Sequence, residues 1–68
     1  MNTVFGERLK ELRREKGIVQ VELAKSLNVS KGIISLWENN EREPTMSSLI
    51  AIATYFKVSI DYLVGLEM

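Results

Sequence analysis

Lys31 is the residue of this chain with the most chemistry to offer. It stands in Ser30-Lys31-Gly32, with Ser35 and Leu36 a turn further on. On a helix this spacing gathers Ser30, Lys31, Gly32, Ser35 and Leu36 on one side, opposite Ile34 and Trp37. The chemistry is recognition rather than bond-making. An ammonium at Lys31 can donate to guanine O6 and N7 or to a phosphate. Ser30 and Ser35 are short donors or acceptors. Gly32 makes no side-chain contact and allows a close approach, at a helix-propensity cost of about 1 kcal/mol. Leu36 suits a thymine methyl group, or is an ordinary surface leucine.

Covalent chemistry has little to work with. The chain has no Cys and no His. Disulfides, thiolate metal sites and thiol nucleophiles are excluded, as are the commonest general base and the commonest zinc ligand. Carboxylates and lysines remain, and no pair of them forms a recognisable pocket. The expectation is a protein that is not an enzyme, with no cofactor, no metal and no small-molecule ligand.

The elements that must hold Lys31 in place are legible around it. The run Gln20-Val21-Glu22-Leu23-Ala24 to Trp37-Glu38 reads as two short amphipathic helices. The first offers Leu23, Ala24 and Leu27 to a core, and the second offers Ile34 and Trp37. Only Asn28 and Val29 separate them before Ser30, a good N-cap. A turn that short forces a close, steep crossing, where Ala24 has almost no side chain to obstruct it. Asn28 tolerates the left-handed conformation the turn requires. These are the features of a helix-turn-helix, whose second helix is held out for a major groove.

The rest of the chain supplies the frame. A first helix is expected from about Thr3 to Lys16, with Phe5, Leu9 and Leu12 inward and Gly17 as its stop. The second runs from about Val19 to Leu27 and the third from about Lys31 to Asn39, with Asn39-Asn40 as a left-handed stop. A polar loop, residues 40–44, follows. Thr45 caps a fourth helix burying Leu49, Ile52, Ala53 and Phe56. Ser59 caps a short fifth helix with Ile60, Leu63 and Val64, ended by Gly65. Strand signals are weak. The fold class is all-α, a compact five-helix bundle, with Trp37, Phe5 and Phe56 in its core.

The pattern extends over nearly the whole chain and resembles the Cro/repressor, or Xre, family. The residues are Arg8-Leu9-Lys10-Glu11-Leu12-Arg13, Gly17, Gln20-x-x-Leu23-Ala24, Val29-Ser30, Ile34-Ser35-x-Trp37-Glu38-Asn39, Pro44 and Val58-Ser59-Ile60-Asp61-Tyr62-Leu63-Val64-Gly65. The resemblance implies a lambda-repressor-like DNA-binding domain. It implies that Gln20 touches a phosphate at the start of the second helix. It sets Arg13 beside Glu38, as a brace or as a route to the DNA backbone. It makes Asn39 and Arg42 phosphate donors in the loop after the third helix, and it makes the C-terminal end a dimer surface through Val58, Ile60, Tyr62 and Leu66, with Met68 beyond. Two departures stand out. Val19 occupies the N-cap position where the family usually has Thr, and a lost cap costs about 1 kcal/mol. Glu41 and Glu43 stand where lysines are common, and would repel a phosphate they faced.

The function so implied is a sequence-specific transcriptional regulator, most simply a repressor. It would bind double-stranded DNA as a homodimer, with two recognition helices about 34 Å apart on a pseudo-palindromic operator. The alternative is a protein-interaction module, antitoxin-like or antirepressor, using Ile33, Leu36 and the acidic loop.

Sixty-eight residues are expected to make a single domain, 1–68, burying about 60% of its unfolded surface. Control would then come from concentration, dimerisation or a partner. Formal net charge is zero, but it is polarised: residues 1–31 carry seven Lys/Arg against four Glu, and the acidic excess lies in residues 32–68. The local field on one face matters more for phosphate than the total. The apolar runs are too short to span a bilayer and no signal peptide is visible, so a cytoplasmic protein is the default expectation.

Overall fold

Five α-helices account for most of the chain in the computed structural model, which describes residues 3–66. They are α1 (Phe5–Glu15), α2 (Gln20–Leu27), α3 (Lys31–Glu38), α4 (Met46–Phe56) and α5 (Ile60–Val64). Among the described residues there is no strand. None of these helices is long and apolar enough to cross a membrane.

Three helices start as their cap residues require. Ser30 Oγ accepts from Ile33 N at 3.2 Å, Thr45 Oγ1 from Ser48 N at 3.1 Å and Ser59 Oγ from Tyr62 N at 2.9 Å. The first helix starts later than its sequence suggests. Thr3 Oγ1 accepts from Phe5 N at 3.2 Å, so Thr3 shapes the entry and α1 begins at Phe5.

One closing device ends every helix. The residue after the last turn takes positive φ, and two backbone N–H groups fold back on the terminal carbonyls. In α2, Asn28 N reaches Lys25 O at 3.2 Å and Val29 N reaches Ala24 O at 3.0 Å. In α3, Asn40 N reaches Trp37 O at 3.1 Å and Glu41 N reaches Leu36 O at 2.8 Å. Gly17, Asn28, Asn40, Lys57 and Gly65 are the positive-φ residues among those described. Lys57 is the one poorly suited to the role, since a left-handed L-residue other than Gly or Asn is strained by about 1–2 kcal/mol. Lys57→Gly is therefore expected to raise stability by about 0.5–1 kcal/mol, part of the relief being offset by a more flexible unfolded chain. Urea denaturation measures it, and a lower midpoint would show that the Lys57 side chain contributes more than its backbone strain removes.

The core is assembled from one face of each helix. Phe5, Leu9, Leu23, Ile34, Ile52 and Leu63 are fully buried, with Ala24, Trp37 and Ala53 beside them. Phe5 meets Trp37 edge-to-face at 6.4 Å between ring centres, which ties α1 to α3. Leu12, Leu27, Leu49, Phe56 and Ile60 pack around this centre half-buried.

The tightest approach is one that a hydrophobic pattern does not reveal. Gly6 lies against the C-terminal end of α3. A Cβ placed on it would sit 2.6 Å from the carbonyl oxygens of both Trp37 and Glu38. Gly6 N also donates to Asn40 Oδ1 at 3.0 Å. The amide-rich start of α1 thus meets the carbonyl-rich end of α3, a favourable pairing of opposite helix-end charges. At the far end, α5 is fastened by Arg8. Its guanidinium lies 4.4 Å from the Tyr62 ring centre, and its Nη1 donates to the Tyr62 carbonyl.

Candidate nucleic-acid interface

The candidate interface centres on α3, whose inner side is fixed by Ile34 and Trp37 in the core. Its outer side begins with Ser30, Lys31 and Gly32, all exposed. Ser30 uses its oxygen on the Ile33 amide, which leaves the hydroxyl proton for another acceptor. Gly32 has open space around it: the nearest atom to an added Cβ is Ser30 Oγ, at 3.8 Å. Ser35 and Leu36 lie on the same side but only half-exposed. Leu36 is thus less free than the exposed leucine the sequence suggests. The returning chain is tied to the Leu36 carbonyl, through Glu41 N at 2.8 Å.

The second component lies where α1, α2 and α3 meet. Arg13 Nε donates to Glu38 Oε2 at 2.6 Å and Arg13 Nη2 donates to Glu38 Oε1 at 3.1 Å. Arg13 Nη1 donates to the Ile18 carbonyl at 3.0 Å. Gln20 Nε2 completes the set, donating to Glu38 Oε1 at 3.1 Å. The Glu38 side chain is 2% exposed and that of Arg13 12%, so this is a sheltered network rather than a surface pair. The hydrogen bonds to Glu38 raise the Arg13 guanidinium above its already strongly basic value; burial opposes this, and the Glu38 charge adds to it. The guanidinium is charged wherever the protein is handled. The pairing of Arg13 with Glu38 implied by the family resemblance is present, as a brace committed to protein partners at all three nitrogens.

Gln20 opens α2 as expected, half-buried and tethered to Glu38. Val19 has no side-chain oxygen with which to cap α2, and part of the deficit is met from within the helix. Glu22 Oε1 accepts from Val19 N at 3.1 Å, one half of a capping box. Glu22 three residues after the N-cap was the sequence signal for this. Asn39 and Arg42 are exposed beyond α3, and so are Glu41 and Glu43. Asn40 is spent internally, its side chain on Gly6 and its backbone in the left-handed stop.

The residues expected at a dimer surface are unequal. Val58 and Ile60 pack half-buried against the core, and Tyr62 lies half-buried beneath Arg8. Leu66 is 78% exposed and is the free apolar side chain of the four. Met68 lies outside the described residues. Further apolar surface stands on α4, where Met46 is 68% and Ile50 51% exposed, one turn apart. The sequence reading did not single these two out.

A short turn that sets one helix out over another, buttressed by three more helices, defines a helix-turn-helix protein of repressor type. A helix-turn-helix family model matches residues 9–63, and the chain belongs to that family, in its Cro/repressor (Xre) group. It is 43% identical over 63 residues to the HTH-type transcriptional activator BcrR of Enterococcus faecalis, a match covering 93% of this chain and 31% of that protein. It is 41% identical over 64 residues to repressor protein C2 of Salmonella phage P22, covering 93% of this chain and 30% of the repressor. The chain therefore spans about a third of the length of these two relatives. Its fold superposes on the crystal structure of the P22 c2 repressor in complex with synthetic operator 9T with a TM-score of 0.87, at 36% identity, over 93% of this chain and 96% of that one.

Proposed function

We propose that this chain is a sequence-specific DNA-binding transcriptional regulator. It binds a pseudo-palindromic operator as a homodimer, with α3 in the major groove. One observation carries the reading. The side of α3 that the core leaves open presents Lys31, Gly32 and the Ser30 hydroxyl, with Gln20 set at the start of the helix before it. The P22 repressor, solved with operator DNA, shares this frame at 0.87. A groove wide enough for a helix reads these donors, and phosphates read Gln20 and the amides at the start of α2. Repression follows by occluding a promoter.

Selection of bound sites from random duplex DNA tests the whole reading. The expected product is an inverted repeat with half-sites one helical turn apart, about 34 Å. Its affinity falls steeply as salt rises. No enriched sequence and a flat salt response would leave a protein-interaction module in its place.

Two substitutions refine it. Lys31→Ala is expected to weaken operator binding by about 1–3 kcal/mol and to relax preference at one position in each half-site. Competition binding with operators altered one base pair at a time reads this out, and equal weakening on every sequence would make Lys31 a phosphate contact. Leu66→Asp tests dimerisation without disturbing the core, because Leu66 is 78% exposed and lies outside it. It is expected to abolish cooperative filling of a full palindrome and leave half-site binding unchanged, with sedimentation on operator DNA as the measurement. A variant that still fills both half-sites together would place the dimer contact elsewhere.

A further inference from the structure

The Glu38 carboxylate does more than neutralise Arg13, because it also receives the side-chain amide of Gln20. An amide offers an oxygen at one end and an NH2 at the other, and on a free side chain the two ends exchange readily. A phosphate only accepts hydrogen bonds, so one of the two amide orientations is useless to it. A carboxylate likewise only accepts. Gln20 Nε2 lies 3.1 Å from Glu38 Oε1, and turning the amide over would set oxygen against oxygen in a sheltered place. The flipped state is therefore strongly disfavoured.

We propose that Glu38 is a positioning residue for DNA binding: it locks the Gln20 amide with nitrogen toward the carboxylate, so that the second N–H of the same nitrogen is ready for a phosphate. This rests on the reading of the chain as a DNA binder. An isolated carboxylate next to a phosphate contact would repel the DNA. Here the Arg13 fork compensates it at 2.6 and 3.1 Å, so the orienting group adds no net charge. The main-chain amides at the start of α2 complete the setting. The first bond of that turn is Leu23 N to Val19 O, so the N–H groups of residues 20–22 lie ahead of it. Glu38 is also the last residue of α3. A phosphate held by Gln20 is thereby tied to the helix that carries Lys31.

The test is a double-substitution cycle on the full chain, with a random-sequence 20-base-pair duplex at low salt as probe. Gln20→Met keeps the length and removes the amide, and is expected to weaken binding about tenfold. Glu38→Gln is expected to weaken it by a similar factor in the parent, and to have no further effect in the Gln20→Met background. A Glu38 that merely braces the fold would weaken binding equally in both backgrounds, which overturns the proposal. So does a Gln20→Met variant that binds like the parent. An NMR titration of the unsubstituted chain keeps the matter decidable if Glu38→Gln fails to fold. On adding duplex, one of the two Gln20 Nε2 protons is expected to shift while its Glu38-bonded twin stays in place. Both shifting together, or neither, overturns the proposal. A parent chain that binds no duplex overturns the DNA-binding reading itself, and this inference with it; an additive cycle in a chain that does bind overturns the inference alone.

Discussion

Gly6→Ala is expected to destabilise the protein by about 3 kcal/mol or more, from the addition of one methyl group. Overpacking generally costs about 1–3 kcal/mol because side chains turn aside. Here the obstacles are backbone, the Trp37 and Glu38 carbonyl oxygens at 2.6 Å. Neither can rotate away, so α1 must lift from α3. That movement loosens the edge-to-face contact of Phe5 with Trp37 and the Gly6–Asn40 bond that anchors the end of α3. A domain of 68 residues has roughly 3–10 kcal/mol of total stability, so the variant sits at the edge of unfolding at 25 °C. Gly32→Ala is the control. It adds the same methyl in a helix but meets nothing closer than 3.8 Å, and is expected to gain up to about 1 kcal/mol from helix propensity. Urea denaturation followed by circular dichroism separates the two. Equal midpoints for Gly6→Ala and the parent would mean that the α1–α3 approach is looser than the structure shows.

The contrast between these two glycines marks what a single sequence discloses. The frame was legible because it rests on local rules. Ser30, Thr45 and Ser59 cap their helices since a hydroxyl there satisfies a free amide. Asn28, Asn40, Gly17 and Gly65 end helices since they tolerate positive φ. The inward residues follow from helical spacing. Gly6 was not legible because its reason lies more than thirty residues away, in the carbonyls of α3. Lys57 was hidden by the opposite problem, a residue that breaks the local rule where the paired backbone bonds outweigh it. At the candidate interface, Lys31, Gly32 and Ser35 could be placed on one side from spacing alone. The pairing of Arg13 with Glu38 came from resemblance, since no periodicity links residues on different helices. That Gln20 joins the same carboxylate was visible in neither, because it depends on how three helices converge.

Arg13→Ala is expected to be comparably damaging, for an electrostatic reason. The substitution leaves the Glu38 side chain, 2% exposed, with Gln20 as its one side-chain donor among the described residues. It also strips the Ile18 carbonyl of its bond from Nη1. Breaking a buried ion pair from one side costs about 3–5 kcal/mol, since the remaining charge stays dehydrated without compensation. An exposed pair would be worth about 0–1 kcal/mol, so the size of the loss decides which kind this is. Replacing both partners tells the two contributions apart. Arg13→Met combined with Glu38→Met removes charge and fork together, and is expected to be markedly more stable than Arg13→Ala alone. The pH dependence has a definite sign. Because the Arg13 guanidinium is raised in the fold, its contribution is complete below its ordinary titration range and is lost only as pH climbs through the raised value. The parent therefore loses nothing through Arg13 between neutral and mildly acid pH. Urea denaturation at neutral pH measures the loss in Arg13→Ala and in the double variant. A loss below about 1 kcal/mol would mean that water reaches Glu38 and that Arg13 does not hold the three helices together.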